Sequence, residues 1–308
     1  MRIVIVGAGG VGGYLGVRLK DAGDDVGYLV RGHNLTALRE QGIYLRSPLG
    51  DRDLGPQRAS DEAAELGPAD LVVVTVKLYD LEAVAPTLAP LIHDETAILP
   101  LQNGVDSYSI LAATLNPASV LKGVVTIKSF RAAPGQIVCK SPFCHIQLAE
   151  GDGARIQRAG RIAKSLDRCI GVDAVLSKDI DGDIWRKFVM LASFSAITCL
   201  ARATIGQVRD NNEAYKLAVD ATAEAVAVGH ALGVNLTTNV MELVDSQVRD
   251  MPSDGKASML EDLEAGRRLE LGFLSGSVVR LGKQVGVPTP LHEFAYSALA
   301  MHEKGAIR

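Results

Sequence analysis

Twelve residues near the start of the chain carry its plainest chemical signal. Ile3 to Val6 is a continuous apolar run, and Gly7-Ala8-Gly9-Gly10-Val11-Gly12 follows it directly. A glycine at the first position permits a tight turn, and one at the second lets a pyrophosphate approach the backbone. The third lets a helix pack closely on a strand. The helix that follows (Tyr14 to Ala22-Gly23) then offers free N–H groups and a positive dipole end to the phosphates. With a second strand over Asp25 to Val30, this is the order a dinucleotide fold requires. A fold of the same class with an empty site is the competing reading.

The second strand ends at Arg31, where NAD-binding units place an acid that accepts from the ribose 2′-OH. A guanidinium fork suits a 2′-phosphate and an acid would repel it. The sequence therefore points to NADP(H), against the alternative of an ordinary solvated arginine. Lys77 closes the apolar run Leu71 to Val76, and Asn103 follows the run Ala97 to Leu101. Both fall at C-terminal strand ends, where open α/β sheets bind ligands. Lys77 would sit at the cofactor's edge and Asn103 beside nicotinamide or substrate. A lysine ending a strand in solvent and plain Asn-Gly turn chemistry are the alternatives.

Further along, Lys187 lies one turn into an otherwise apolar helix, where it either snorkels or faces a cavity. Ser258 and Glu270 are 12 residues apart, about 18 Å along one unbroken helix and too far to share a small substrate. Gly266 offers a stop between them. Glu270 would then fall in the first turn of a second helix, where stabilising the helix dipole is its simplest role.

The elements that must position these residues form two groups. Residues 1–178 read as an α/β domain: parallel strands at Ile3–Val6, Asp25–Val30, Leu71–Lys77 and Ala97–Leu101, with short strands between residues 42 and 58. Val120 to Ser129, Gly135 to Lys140 and His145 to Leu148 alternate and read as hairpins that extend this sheet with antiparallel strands. A helix from Arg155 to Cys169 and a strand from Val172 to Ser177 complete the domain. Residues 179–308 read as all-α, with helices at 184–200, 211–232, 239–249, 256–265, 269–285 and 290–304.

Bulk properties narrow the function. A net charge of −4 with no basic run argues against nucleic acid. The four cysteines are scattered without metal-ligand spacing, which suits buried thiols in a reducing cytosol and no metal centre. The longest nearly apolar run, Phe188 to Ala201, is 14 residues, too short to span a bilayer. With the first strand starting at residue 2 or 3 no targeting peptide has room. The expectation is a cytoplasmic protein without nucleic-acid or membrane partners, whose apolar C-terminal helices suit a homodimer interface.

Taken together, GAGGVGG, Lys77 in TVKLYD, Asn103 in LQNGVD, Trp185-Arg186-Lys187, SMLEDLEAGRRLELGFLSG and Val287-Pro288-Thr289-Pro290 give the chain a specific likeness. From residue 1 to about 300 it resembles the ketopantoate reductase (2-dehydropantoate 2-reductase) family. The resemblance implies a Rossmann domain, a helical domain and NADPH in the cleft between them. It also implies reduction of a 2-oxo acid to a 2-hydroxy acid, with pantoate as the product in the best-known members, on the way to coenzyme A.

Carried over by motif, Lys187 matches the family's catalytic lysine and Glu270 its active-site glutamate. Ser258 matches the contact to the substrate carboxylate, and Asn103 the residue between nicotinamide and substrate. Where the family has asparagines four and eight residues after the lysine, this chain has Leu191 and Ser195, and an asparagine expected just before Ser258 is missing. A second reading therefore keeps the reaction but takes a more apolar 2-oxo acid. A third, a non-catalytic NADP(H) sensor, has no use for a proton donor.

Overall fold

In the computed structural model, which describes residues 1–151 and 156–306, Ile3, Val4, Ile5 and Val6 are buried on both faces of strand β1 (Arg2–Val6). That burial requires neighbours on either side. β1 pairs in parallel with β2 (Asp25–Leu29) and with β6 (Leu71–Val74); β6 then pairs in parallel with β7 (Ala97–Pro100). A two-residue β5 (Ala59–Ser60) closes the other edge, giving the order β5-β2-β1-β6-β7. Parallel strands need crossovers. These include α1 (Gly10–Asp21) after β1, α2 (His33–Glu40) after β2, α3 (Ala63–Leu66) after β5 and α4 (Leu78–Val84) after β6. α5 (Ser107–Thr114) follows β7.

The remaining strands form two further sheets. β3 (Ile43–Arg46) pairs antiparallel with β4 (Arg52–Leu54) and in parallel with β10 (Gln136–Cys139), which pairs antiparallel with β9 (Ser129–Ala133). β8 (Leu121–Thr126) pairs antiparallel with β11 (Cys144–Glu150), and β11 in parallel with β12 (Val172–Leu176). Antiparallel pairing is present as expected, but its arrangement differs from simple hairpins. The run from Val120 to Ser129 divides between two sheets, and of the strands expected there β9–β10 form a hairpin, turning at Gly135 (φ +70°), whereas β8 and β11 are not consecutive. β11, α6 (Ile156–Asp167) and β12 make a parallel crossover unit. Arg155, the expected start of that helix, lies outside the described residues. One parallel bridge, Ile98 to Val120, links the first sheet to the third. A single buried cluster draws on all three sheets, from Ile5 and Val73 through Ile137 to Ile146 and Ala174.

The helical unit has its own core. α7 (Ile180–Ala201), α8 (Ile205–Arg209), α9 (Asn212–Ala231), α10 (Val240–Asp250), α11 (Ser258–Glu264), α12 (Ser275–Val285) and α13 (Pro290–Leu299) bury Phe188, Val189, Ala225, Leu260 and Val278 among others. α7 is longer than its apolar run because Asp181 and Asp183 occupy its first turn. At 22 residues it is long and apolar enough to cross a membrane, yet most of it is buried in the protein, as a core helix would be. The compact units are Met1–Asn103 with Ser107–Ile180, and Gly104–Asp106 with Asp181 onward. Three residues inside the N-terminal sequence thus belong to the helical unit. Asp106 accepts from Ser277 Oγ at 2.5 Å and from Arg280 at 2.5 Å, both on α12.

Candidate active site

Register decides where the N-terminal candidates fall. Val6 stands beside Leu29 on one side and Val74 on the other, and Val74 beside Pro100. With all four strands parallel, Gly7, Arg31, Lys77 and Asn103 emerge at one edge, the C-terminal end of the sheet.

Each glycine of the loop answers a different constraint. Gly7 has φ +91°, which a side chain disfavours, and a Cβ there would lie 2.9 Å from Val76 Cγ1. A Cβ on Gly12 would lie 2.2 Å from the Gly7 carbonyl and 2.3 Å from Thr75 Oγ1, so helix and strand touch through it. At Gly9 the same atom would meet nothing within 4 Å. Gly9 begins α1 without a capping side chain, leaving an open backbone face at a helix N-terminus. That is the cradle a pyrophosphate requires. Gly10 backs onto β9, where the Ser129 hydroxyl donates to its carbonyl at 2.9 Å, and Ala8 and half-buried Val11 turn inward.

Two residues not singled out from the sequence hold this edge. Asn34 is buried, donates to the Ala8 carbonyl at 3.2 Å and accepts from Gly135 N–H at 3.0 Å. Its only sequence signal was its place just after the second strand. Gln102 is buried and donates to the Val74 carbonyl at 2.9 Å, while its Oε1 has no hydrogen-bond partner among the described residues. Asn103 follows it, half-buried, and Gly104 (φ +104°) makes the Asn-Gly turn. Lys77 is half-buried at the cap of α4. β6 ends before it at Val74, and the Thr75 hydroxyl donates to the Val6 and Gly7 carbonyls, at 3.2 and 2.5 Å. Arg31 is 77% exposed at its side chain and pairs with Asp80 at 3.2 Å.

In the helical unit the triplet on α7 points three ways. Trp185 is buried edge-on to Phe188, with ring centroids 5.3 Å apart, and Arg186 turns back to Asp183. Lys187 is half-buried. Leu191, one turn on, is half-buried against the helical core. Ser195, a second turn on, lies inside the helical unit. It exposes no surface, and its Oγ has no hydrogen-bond partner among the described residues, whereas the neighbouring Ser193 and Thr198 hydroxyls donate back to Val189 and Phe194 carbonyls.

Ser258 is the first residue of α11 and is exposed. α11 ends at Glu264 and Gly266 (φ +64°) turns the chain, so Ser258 and Glu270 do not share one helix. The helix expected from Leu269 is interrupted at Leu274 (φ −109°, ψ −94°). Glu270 therefore precedes only a three-residue 3-10 turn, Leu271–Phe273, with its carbonyl accepting from Phe273 and Leu274 at 3.0 and 3.1 Å. So short a turn has little macrodipole for a carboxylate to stabilise, yet Glu270 is 4% exposed. The thiols offer no rival nucleophile: all four cysteines are buried, and burial pushes Cys169 up to about 11 and Cys199 up to about 12.

Comparison with known proteins places both units in one family. The family described as ketopantoate reductase PanE/ApbA matches residues 3–152, and its C-terminal counterpart matches residues 179–303. A 2-dehydropantoate 2-reductase of Mesorhizobium japonicum is 31% identical over 94% of this chain and 94% of its own. The uncharacterized oxidoreductase YkpB of Bacillus subtilis is 30% identical over 98% of this chain and 99% of its own. The crystal structure of 2-dehydropantoate 2-reductase from Geobacter metallireducens superimposes with a TM-score of 0.89 at 27% identity, covering 98% of this chain and 99% of that one. The chain belongs to the ketopantoate reductase family and is an NAD(P)H-dependent oxidoreductase.

Proposed function

We propose that this enzyme reduces 2-dehydropantoate to pantoate with NADPH. The observation that carries the reading is the retention of Lys187 and buried Glu270 in a chain matched across both units by 2-dehydropantoate 2-reductases. The open face at Gly9 and the α1 N-terminus would hold the pyrophosphate, Arg31 the 2′-phosphate, and Lys77 and Asn103 the nicotinamide side. When bound, NADPH supplies the hydride that C2 of the oxo acid accepts. Negative charge then develops on the former carbonyl oxygen, where the Lys187 ammonium stabilises it and delivers the proton. The Ser258 hydroxyl donates to the substrate carboxylate, and the Glu270 carboxylate accepts from a substrate hydroxyl.

Leu191 favours a second reading, in which the preferred substrate is a 2-oxo acid with an apolar tail. It lies four residues beyond Lys187, and so on the same face of α7. Neither it nor hidden Ser195 offers a polar contact to a hydroxyl beyond the carbonyl. A hydroxyl buried unpaired costs about 1–3 kcal/mol.

NADPH consumption with 2-dehydropantoate and with 3,3-dimethyl-2-oxobutanoate, its analogue lacking the hydroxyl, separates the two readings. Leu191→Asn is expected to raise the kcat/KM ratio in favour of 2-dehydropantoate about tenfold, within the range that penalty allows. A flat ratio, with 2-dehydropantoate already preferred, assigns the hydroxyl to other residues and leaves the first reading standing. No turnover of either acid sinks both.

A further inference from the structure

β2 ends without the acid that an NAD-binding unit carries there, yet a carboxylate stands beside the arginine that follows it. Asp80, in the first turn of α4, brings Oδ2 to 3.2 Å from Arg31 Nη2. The two residues come from opposite directions, because β2 and β6 flank β1 on either side. Their side chains therefore meet across the edge where Gly7 leaves the sheet. Both are accessible, Arg31 at 77% and Asp80 at 31%, and neither is needed to fill the core.

We propose that Asp80 is a specificity-determining residue for the dinucleotide. It restrains Arg31 from the 2′-phosphate of NADPH and accepts from the adenosine-ribose 2′-OH of NADH. This rests on the placement of Arg31 at the ribose in the function proposed above. A 2′-phosphate must draw Arg31 away from its ion pair and also meets a second anion nearby, so Asp80 opposes NADPH twice. A 2′-OH meets an acceptor already in place, delivered from the β6 side of the sheet instead of from β2. The enzyme would then discriminate only modestly between the two cofactors, and by an electrostatic margin that salt reduces.

The test is equilibrium binding by titration calorimetry of NADP⁺, NAD⁺ and adenosine 2′,5′-bisphosphate to the wild type, Asp80→Asn and Arg31→Ala. The asparagine keeps the shape and removes the charge. An exposed ion pair is worth a factor of up to about five, and relief of repulsion adds to it. The Kd ratio of NAD⁺ to NADP⁺ should therefore rise about three- to tenfold in Asp80→Asn, with the bisphosphate binding more tightly by a similar factor. In Arg31→Ala the ratio should fall roughly tenfold or more. If the ratio falls in Arg31→Ala but stays within about twofold of wild type in Asp80→Asn, Asp80 is a surface ion-pair partner only and the proposal is overturned. If it moves in neither variant, the placement of Arg31 at the ribose is wrong and this proposal falls with it.

Discussion

The two units place their candidate residues by different means. In the N-terminal unit, Gly7, Arg31, Lys77 and Asn103 share an edge because four parallel strands run in register, a property of the backbone. In the helical unit, Lys187, Ser258 and Glu270 sit on α7, at the start of α11 and before a 3-10 turn, where no ladder aligns them. There, side chains pin the elements. His292 is fully buried, with Nε2 3.0 Å from the Ala221 carbonyl and Nδ1 3.3 Å from Ser275 Oγ, and its backbone N–H donates to Glu224 at 3.1 Å. A site built on register tolerates side-chain change but not backbone crowding. A site built on pins is sensitive to the identity and charge of single side chains.

The largest expected effect is at Lys187, the amine proposed to stabilise and protonate the developing alkoxide. Lys187→Ala should lower kcat by about 10²–10⁴, the usual contribution of a positioned acid, with the melting temperature nearly unchanged. Steady-state kinetics beside a thermal melt decides it, and normal turnover would reduce Lys187 to a snorkelling side chain.

Acid should separate the units next. Burial pushes the His292 imidazole down to about 4 from an ordinary 6.5. The unfolded chain thus binds a proton that the folded one refuses. Stability is full above about pH 6.5 and falls as pH drops towards 4, by roughly 3 kcal/mol from this group. Glu224, pushed up by its own burial, titrates in the opposite sense and reduces the net slope. Trp185, the chain's single tryptophan, is buried in the helical core and reports on that unit. Urea unfolding followed by its fluorescence should weaken between pH 7 and 5 in the wild type and less steeply in His292→Gln. Equal slopes would show that His292 does not govern the helical unit's response to acid.

The smallest contrast lies within the glycine loop. Gly12→Ala forces a Cβ to 2.2 Å from the Gly7 carbonyl and should destabilise by about 1–3 kcal/mol, the range for overpacking. Gly9→Ala meets no neighbour and should stay within about 0.5 kcal/mol of wild type. It should nevertheless weaken dinucleotide binding, since the methyl group fills the open face. Thermal melts and NADP⁺ titration of both variants check this. Similar melting temperatures would show that helix and strand do not touch through Gly12.

The same division explains what could be read from the sequence. The strand, glycine loop, helix and second strand were legible because local patterning and backbone need coincide there. The arrangement of the later strands was not, because alternation shows that Val120 to Ser129 is extended but not that β8 pairs with β11 while β9 pairs with β10. The break at Leu274 was hidden, since the glycines around it, Gly272 and Gly276, sit inside the apolar pattern of a continuous helix and Leu274 itself is an ordinary helix former. Ser195 carried a family position but no sign of its complete burial, which depends on neighbours far away in sequence. Asp80 was invisible beside Arg31 because 49 residues separate them.

The three-residue passage of residues 104–106 into the helical unit bears on how the molecule is made. During synthesis the N-terminal unit can complete its sheets while Val105 and Asp106 still wait for partners. Ser277 and Arg280 emerge 171 and 174 residues after Asp106, and closing so long a loop is entropically costly and slow. The helical unit is therefore assembled from discontinuous sequence, residues 104–106 and the stretch from Asp181 onward. Severing the gene near residue 180 would yield a first fragment with a stranded apolar side chain at Val105 and a second lacking an anion for Arg280. Co-expressed halves should reassemble more readily than either half survives alone.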